Sequence, residues 1–100
     1  SGVTMMLHIL TKGPHSRASF VMQQAIGEQD SVLLIEEAVT AALDPTWVAW
    51  QHYQSRIFML AEDLTSRGLT SMAAMHQLPT IEMDDFVSLT EQHLKTVTWY

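Results

Sequence analysis

The apolar positions change period at Ser31–Leu43. Val32-Leu33-Leu34-Ile35 is a short unbroken apolar run, which suits a central strand covered on both faces of a parallel sheet. After Glu36-Glu37, the apolar residues Ala38, Val39, Ala42 and Leu43 recur at helical spacing. The pattern predicts a strand feeding a helix, with two carboxylates at the strand's carboxyl end, where ligands and chemistry collect in open α/β sheets.

The same alternation runs through the rest of the chain. Met5–Leu10 reads as a first strand, broken by the loop Thr11–His15. Ser16 is placed to cap a helix with Ala18, Val21, Met22 and Ala25 on one face and Gly27 beyond its last turn. Asp44 and Pro45 are expected as cap and first residue of a helix carrying Trp47, Val48 and Trp50 towards Tyr53. Arg56–Leu60 is a third strand. Glu62-Asp63 opens a short helix that Gly68 closes. Thr70–Leu78 fits a helical turn or a loop, with Met72 and Met75 on one side. Thr80–Met83 reads as a fourth strand, and Asp84 or Asp85 as the cap of a helix presenting Phe86, Leu89 and His93. Lys95–Tyr100 alternates like an edge strand. These elements predict a three-layer α/β/α domain over residues 6–100, with a mostly parallel five-stranded sheet. Ser1–Met5 is expected to be a remnant or a disordered lead-in, with Met6 as a natural start.

Composition narrows the partners. Apolar residues make up 47% of the 100 positions and charged ones only 16%. With seven Met and three Trp, this is more adhesive surface than one small core absorbs, which favours a subunit of an assembly. The net charge is −6, and the five cations (Lys12, Arg17, Arg56, Arg67, Lys95) are scattered. No basic stripe follows a phosphate backbone, which argues against direct nucleic-acid binding. No apolar stretch approaches the ~20 residues needed to span a bilayer, and no signal peptide is visible, so the chain reads as cytosolic. Cysteine is absent. Disulfides, thiolate metal sites and thiol nucleophiles are thereby excluded.

Few residues invite chemistry. Glu36 and Glu37 could serve as a general base or a metal ligand, but neighbours at a strand end diverge, and a solvated turn is the simpler reading. His8, His15, His52, His76 and His93 lack any zinc-binding spacing. His8, inside an apolar strand, fits a hydrogen-bonded core histidine better than a ligand. Lys12-Gly13-Pro14 lacks the glycine pattern of a phosphate cradle. No catalytic constellation, cofactor site or metal site is expected. Trp47 and Trp50 share a helical face and suit a core or an interface equally. Met72, Met75, Trp99 and Tyr100 join them as candidate subunit-interface residues.

Several segments together resemble one family. They are Leu7-His8-Ile9-Leu10 with Lys12-Gly13-Pro14, Val32–Ile35 with Val39-Thr40-Ala41-Ala42, and Glu62-Asp63-Leu64 with Arg67-Gly68-Leu69. Asp85-Phe86-Val87, Leu89-Thr90 and the closing Trp99 complete the set. The chain is similar in this respect to the TusB/DsrH family, small subunits of bacterial sulfur-relay complexes with a DsrE-like fold. The resemblance implies a five-stranded parallel sheet and a heterohexamer with homologous TusC-like and TusD-like subunits. It also implies sulfur passing as cysteine persulfide from a TusA-like donor through the TusD-like chain to a TusE-like acceptor, for 2-thiolation of the tRNA wobble uridine. Some DsrH-type relatives place a Cys near the middle of the first helix, where this chain has Met22 and Gln23. Ala38 stands where relatives often carry Gly after an acidic residue, which removes an argument for a strained turn there.

Persulfide relay needs a thiolate, and this chain has none. The expected function is therefore a non-catalytic structural subunit of the sulfurtransferase complex. The alternatives are a DsrH-type subunit in dissimilatory sulfur oxidation, a small α/β acid–base enzyme using Glu36, Glu37 or His15, and a self-assembling protein that binds a small ligand at the strand carboxyl edge.

Overall fold

The computed structural model describes residues 5–100. The expectation for the leading segment falls on Ser1–Thr4, outside these residues, and on Met5, whose carbonyl accepts a hydrogen bond from the Leu94 N–H at 3.0 Å. Among the described residues five strands form one sheet: β1 Met6–Leu10, β2 Ser31–Leu34, β3 Ile57–Leu60, β4 Thr80–Ile81 and β5 Lys95–Trp99. The order is β4-β3-β2-β1-β5, and every neighbouring pair is parallel. The first four strands are laid down in one direction, and the chain then returns to set β5 beside β1.

Right-handed crossovers put connections running in opposite directions on opposite faces of a sheet. The helices α1 (Arg17–Ala25), α2 (Val48–His52), α3 (Ala61–Ser66) and α4 (Thr70–Met75) belong to the first set of connections, and α5 (Met83–Gln92) to the return. The cores follow suit. Leu10, Val32, Leu34, Ile57 and Met59 pack with Met22, Val39, Trp47, Trp50 and Leu64 on the first face. Leu7, Ile9 and Leu33 meet Phe86 and Leu89 of α5 on the second. This is a three-layer α/β/α arrangement with unequal outer layers, since α5 has no fully buried residue.

Boundaries shift where local chemistry outweighs spacing. Glu36–Leu43 is a 3-10 helix. At three residues per turn Ala38 eclipses Ala41 and Val39 eclipses Ala42, all buried, which turns Leu43 outward to 58% exposure. Leu43 is therefore not on the buried face expected for it. Ala25 is likewise exposed, and Ile26 beyond α1 packs on the core instead. Asp44 does not cap a helix at Pro45. The Trp47 N–H donates to the Asp44 carbonyl at 3.1 Å, closing a turn with Pro45 in its second position, and α2 starts only at Val48. Strand β4 ends at Ile81, not Met83, because Glu82 becomes the cap of α5. Asp84 and Asp85 then sit in that helix's first turn, where the dipole favours carboxylates.

Gly68 closes α3 as predicted. At φ +69° it lets the Leu69 N–H reach the Leu64 carbonyl (2.8 Å) and its own N–H the Thr65 carbonyl (3.1 Å). The ambiguous stretch after it is α4, ended the same way by Gln77 at φ +54°.

Candidate functional site

The connections after β1, β2 and β3 leave the carboxyl edge of the sheet side by side, the third passing directly into α3. After β1, the Thr11 hydroxyl donates to the Trp99 carbonyl at 3.0 Å, which ties the loop to the edge strand. Ser16 caps α1: its Oγ accepts from the Ser19 N–H at 3.1 Å and donates to the Gly13 carbonyl at 2.7 Å. After β2, Glu36 and Glu37 are exposed. Glu36 adopts φ +54°, and its N–H donates to Asp63 Oδ2 at 2.5 Å. The left-handed residue of this turn is thus Glu36 itself, two positions before Ala38, and the α3 carboxylate holds it there. The two glutamates do not form a converging pair with any third acid: among the described residues no three His, Asp or Glu side chains gather as a metal site.

Two concavities stand out among the described residues. One, about 320 Å³, lies between α3, α4 and β4 and is lined by Glu62, Thr65, Thr70, Leu78, Thr80 and Glu82 among others. Glu62 is already engaged there, with Oε2 accepting from the Met83 N–H at 3.2 Å. The other, about 510 Å³, lies between the start of α1 and the start of α2. Its floor includes Trp47, its rim Phe20 and Val48, and its polar end His15 and Asp44. His15 Nε2 and Asp44 Oδ2 are 2.6 Å apart. That bond holds the Asp44 carboxyl below its ordinary value, with slight burial pushing up and the Thr46 hydroxyl, 3.0 Å from Oδ1, pulling down again.

A second His–Asp pair is structural. His8, fully buried in β1, has Nε2 2.9 Å from Asp30 Oδ2, and its Nδ1 accepts from Trp99 Nε1 at 3.1 Å. Asp30 also accepts from the Met6 and Gly27 N–H groups at 3.0 and 2.8 Å. Burial pushes the Asp30 carboxyl up, but Gly27, His8 and Met6 together outweigh it and leave it lowered. Arg56 closes the same corner, donating to the carbonyls of Asp30 (2.6 Å) and Gly27 (3.0 Å). Its guanidinium also lies 5.5 Å from the Tyr53 ring centre. Burial raises the Tyr53 phenol, with Arg56 pulling the other way.

The remaining candidates scatter. Trp47 and Trp50, 5% and 7% exposed, meet edge to face at 5.7 Å inside the first core, which leaves little of either ring for a partner. Met75 and Tyr100 stand 69% and 81% exposed, while Met72 and Trp99 are half-buried. His93 bonds the Leu89 carbonyl and Ser31 Oγ, and His52 and His76 are exposed. Sequence reasoning missed both His–Asp pairs, because their partners lie 22 and 29 positions apart. For Asp30 a signal existed: an acid directly before a buried strand, three residues after Gly27.

These features define an all-parallel α/β domain with no cysteine, whose carboxyl edge offers acids, hydroxyls and one exposed imidazole. The chain belongs to the TusB/DsrH family. A family model described as "DsrH like protein" matches residues 13–96. The chain is 32% identical over 96 residues to protein TusB of Escherichia fergusonii, covering 94% of this chain and 100% of that protein. The same identity and coverage hold for protein TusB of Escherichia coli and of Shigella boydii.

Proposed function

We propose that this chain is the structural, sulfur-free subunit of a cytoplasmic sulfurtransferase complex. The complex would relay persulfide sulfur for 2-thiolation of the wobble uridine of tRNA. TusC-like and TusD-like homologues would be its direct partners, forming a heterohexamer, with a TusA-like donor and a TusE-like acceptor reached through them. The observation that carries this reading is membership of the family over nearly the whole chain without a single cysteine. Sulfur carriage needs an ionisable S–H, and methionine thioethers have none. The exposed apolar side chains support a role as a subunit, as does the lone helix over the second sheet face. Met75 and Tyr100 are the most exposed of the candidate interface residues, and Met72 and Trp99 are half-buried.

The tRNA pathway is preferred to sulfur oxidation because Met22 and Gln23 stand where some DsrH-type relatives carry a thiol. Met22 is fully buried in the first core. Labelled sulfur donor added to the reconstituted complex should mark the TusD-like chain and never this one. A sulfur adduct of ~32 Da on this polypeptide by mass spectrometry would overturn the assignment.

A further inference from the structure

The cleft beside α1 holds a base and its orienting acid, but the hydroxyls around them are already committed. Ser16 Oγ donates to the Gly13 carbonyl at 2.7 Å, and the Thr46 hydroxyl donates to Asp44 at 3.0 Å. The Gln23 amide donates to Ser19 Oγ at 3.2 Å. A histidine whose Nε2–H donates to a carboxylate has its tautomer fixed and Nδ1 left as an acceptor. His15 is held in this way by Asp44, and its side chain is 71% exposed. Nucleophile, base and orienting acid form the working unit of such sites, and here the nucleophile is missing.

We propose that His15 acts as a base towards the cysteine thiol of a homologous partner subunit seated in this cleft. The proposal rests on the relay function above. The thiol must come from outside, because the chain contains no cysteine. The space, about 510 Å³, suits a side chain with its flanking residues. Phe20 and Val48 stand 62% and 55% exposed on its rim, an apolar seat that would exclude water around the contact. Among the lining residues only His15 and Asp44 ionise, so the charge complement of a seated thiolate is the imidazolium that its own proton creates.

The proton passes from the partner's S–H to His15 Nδ1, and Asp44 offsets the resulting positive charge. The thiolate attacks the outer sulfur of a donor persulfide. That S–S bond breaks, a new one forms, and the donor leaves as a thiolate that recovers a proton from His15. One thiol and one persulfide enter, and one of each leaves, with no net oxidation. This chain contributes a proton acceptor and no sulfur ligand, in keeping with its lack of cysteine.

The test measures iodoacetamide alkylation of the partner cysteine against pH in the reconstituted complex. Variants H15Q and D44N are compared with the wild-type chain, and each assembly is verified by size. The wild-type complex should alkylate about tenfold faster near neutrality than the partner alone, since a thiol one unit more acidic carries about ten times more thiolate. H15Q should abolish that gain, and D44N should remove most of it while keeping the imidazole. An H15Q complex that assembles and keeps the wild-type pH profile would overturn this proposal and leave the relay function standing. Failure of the wild-type chain to assemble with any cysteine-bearing homologue would overturn both. Faster alkylation of free glutathione by iodoacetamide in the presence of the isolated chain, with no effect on the partner's thiol, would place a small thiol in the cleft and refute the partner assignment.

Discussion

Asp30→Ala removes the acceptor on which three donors converge: His8 Nε2 at 2.9 Å, Gly27 N at 2.8 Å and Met6 N at 3.0 Å. The donors do not suffer equally. Gly27 is exposed and Met6 half-buried, so water can replace the carboxylate for both. His8 is fully buried and has no such recourse. Stranding one buried donor costs about 1–3 kcal/mol, and a hydrogen bond to a charged group is worth about 1.5–3 kcal/mol. The two overlap, since both describe the same lost bond, so the loss falls in the lower half of their sum, about 3–4 kcal/mol. Against a typical stability of about 5–15 kcal/mol, that lowers the melting midpoint by about 12–32 °C in a chain of this size. Asp30→Asn is a sharper probe. An amide set with its oxygen towards Met6 turns its NH2 on the Gly27 N–H, which loses its acceptor, and on His8, which must then accept at Nε2 and carry its proton on Nδ1. That proton faces Trp99 Nε1–H, so the fault passes along the row to β5. Urea melts followed by circular dichroism and by tryptophan fluorescence report both changes. A D30A midpoint that corresponds to less than about 0.5 kcal/mol of loss would refute the network's role in stability. Acid adds a check. The Asp30 carboxyl is lowered by folding, so its contribution is complete above the ordinary value of 3.8 and is lost as pH falls through the lower folded value. The gap between wild type and D30A should therefore narrow below about pH 4 and stay constant above pH 5.

Three further outcomes are expected. Ser16→Ala deletes the α1 cap and should cost about 1 kcal/mol in urea melts, while Ser16→Thr should restore most of it. Gly68→Ala meets open space but must hold φ +69°, so it should destabilise by about 1 kcal/mol through backbone strain alone, with an unchanged m-value. Replacing Glu36 and Glu37 together by Gln should leave sulfur transfer by the reconstituted complex within a few-fold, because both side chains face solvent. A fall of about 100-fold or more would assign them acid–base work.

Strand positions were legible because burial on both faces writes an unmistakable run, as at Val32–Leu34, and because Ser16 and Gly68 obey capping rules set within one turn. The errors arose where two local preferences competed. Asp44-Pro45 satisfies a helix start and a β-turn equally well, and tertiary contacts decided: Trp50 Nε1 donates to the Asp44 carbonyl at 3.1 Å, and His15 takes its carboxylate. At Glu36–Leu43 the α and 3-10 periods agree only within the first turn and part by about 20° per residue beyond it, and small alanines at 38, 41 and 42 let the tighter winding lie close to the sheet. The cleft was not legible at all. It joins residues 14–23 to residues 44–48 across the width of the domain, and no short-range pattern records that approach.

The return of the chain to β1 also has a consequence in time. Residues 6–10 pair on one side with 31–34, available early, and on the other with 95–99, the fifth strand of the sheet in chain order. Throughout translation of the intervening segment, β1 displays a row of free N–H and C=O groups along an apolar strand, the kind of edge on which foreign strands dock. Only when Trp99 arrives, bonding its carbonyl to Thr11 and its indole to His8, is that edge sealed. A chain interrupted before residue 95 would thus keep four of the five described strands with β1 left open on one side, an edge that invites aggregation or proteolytic clearance.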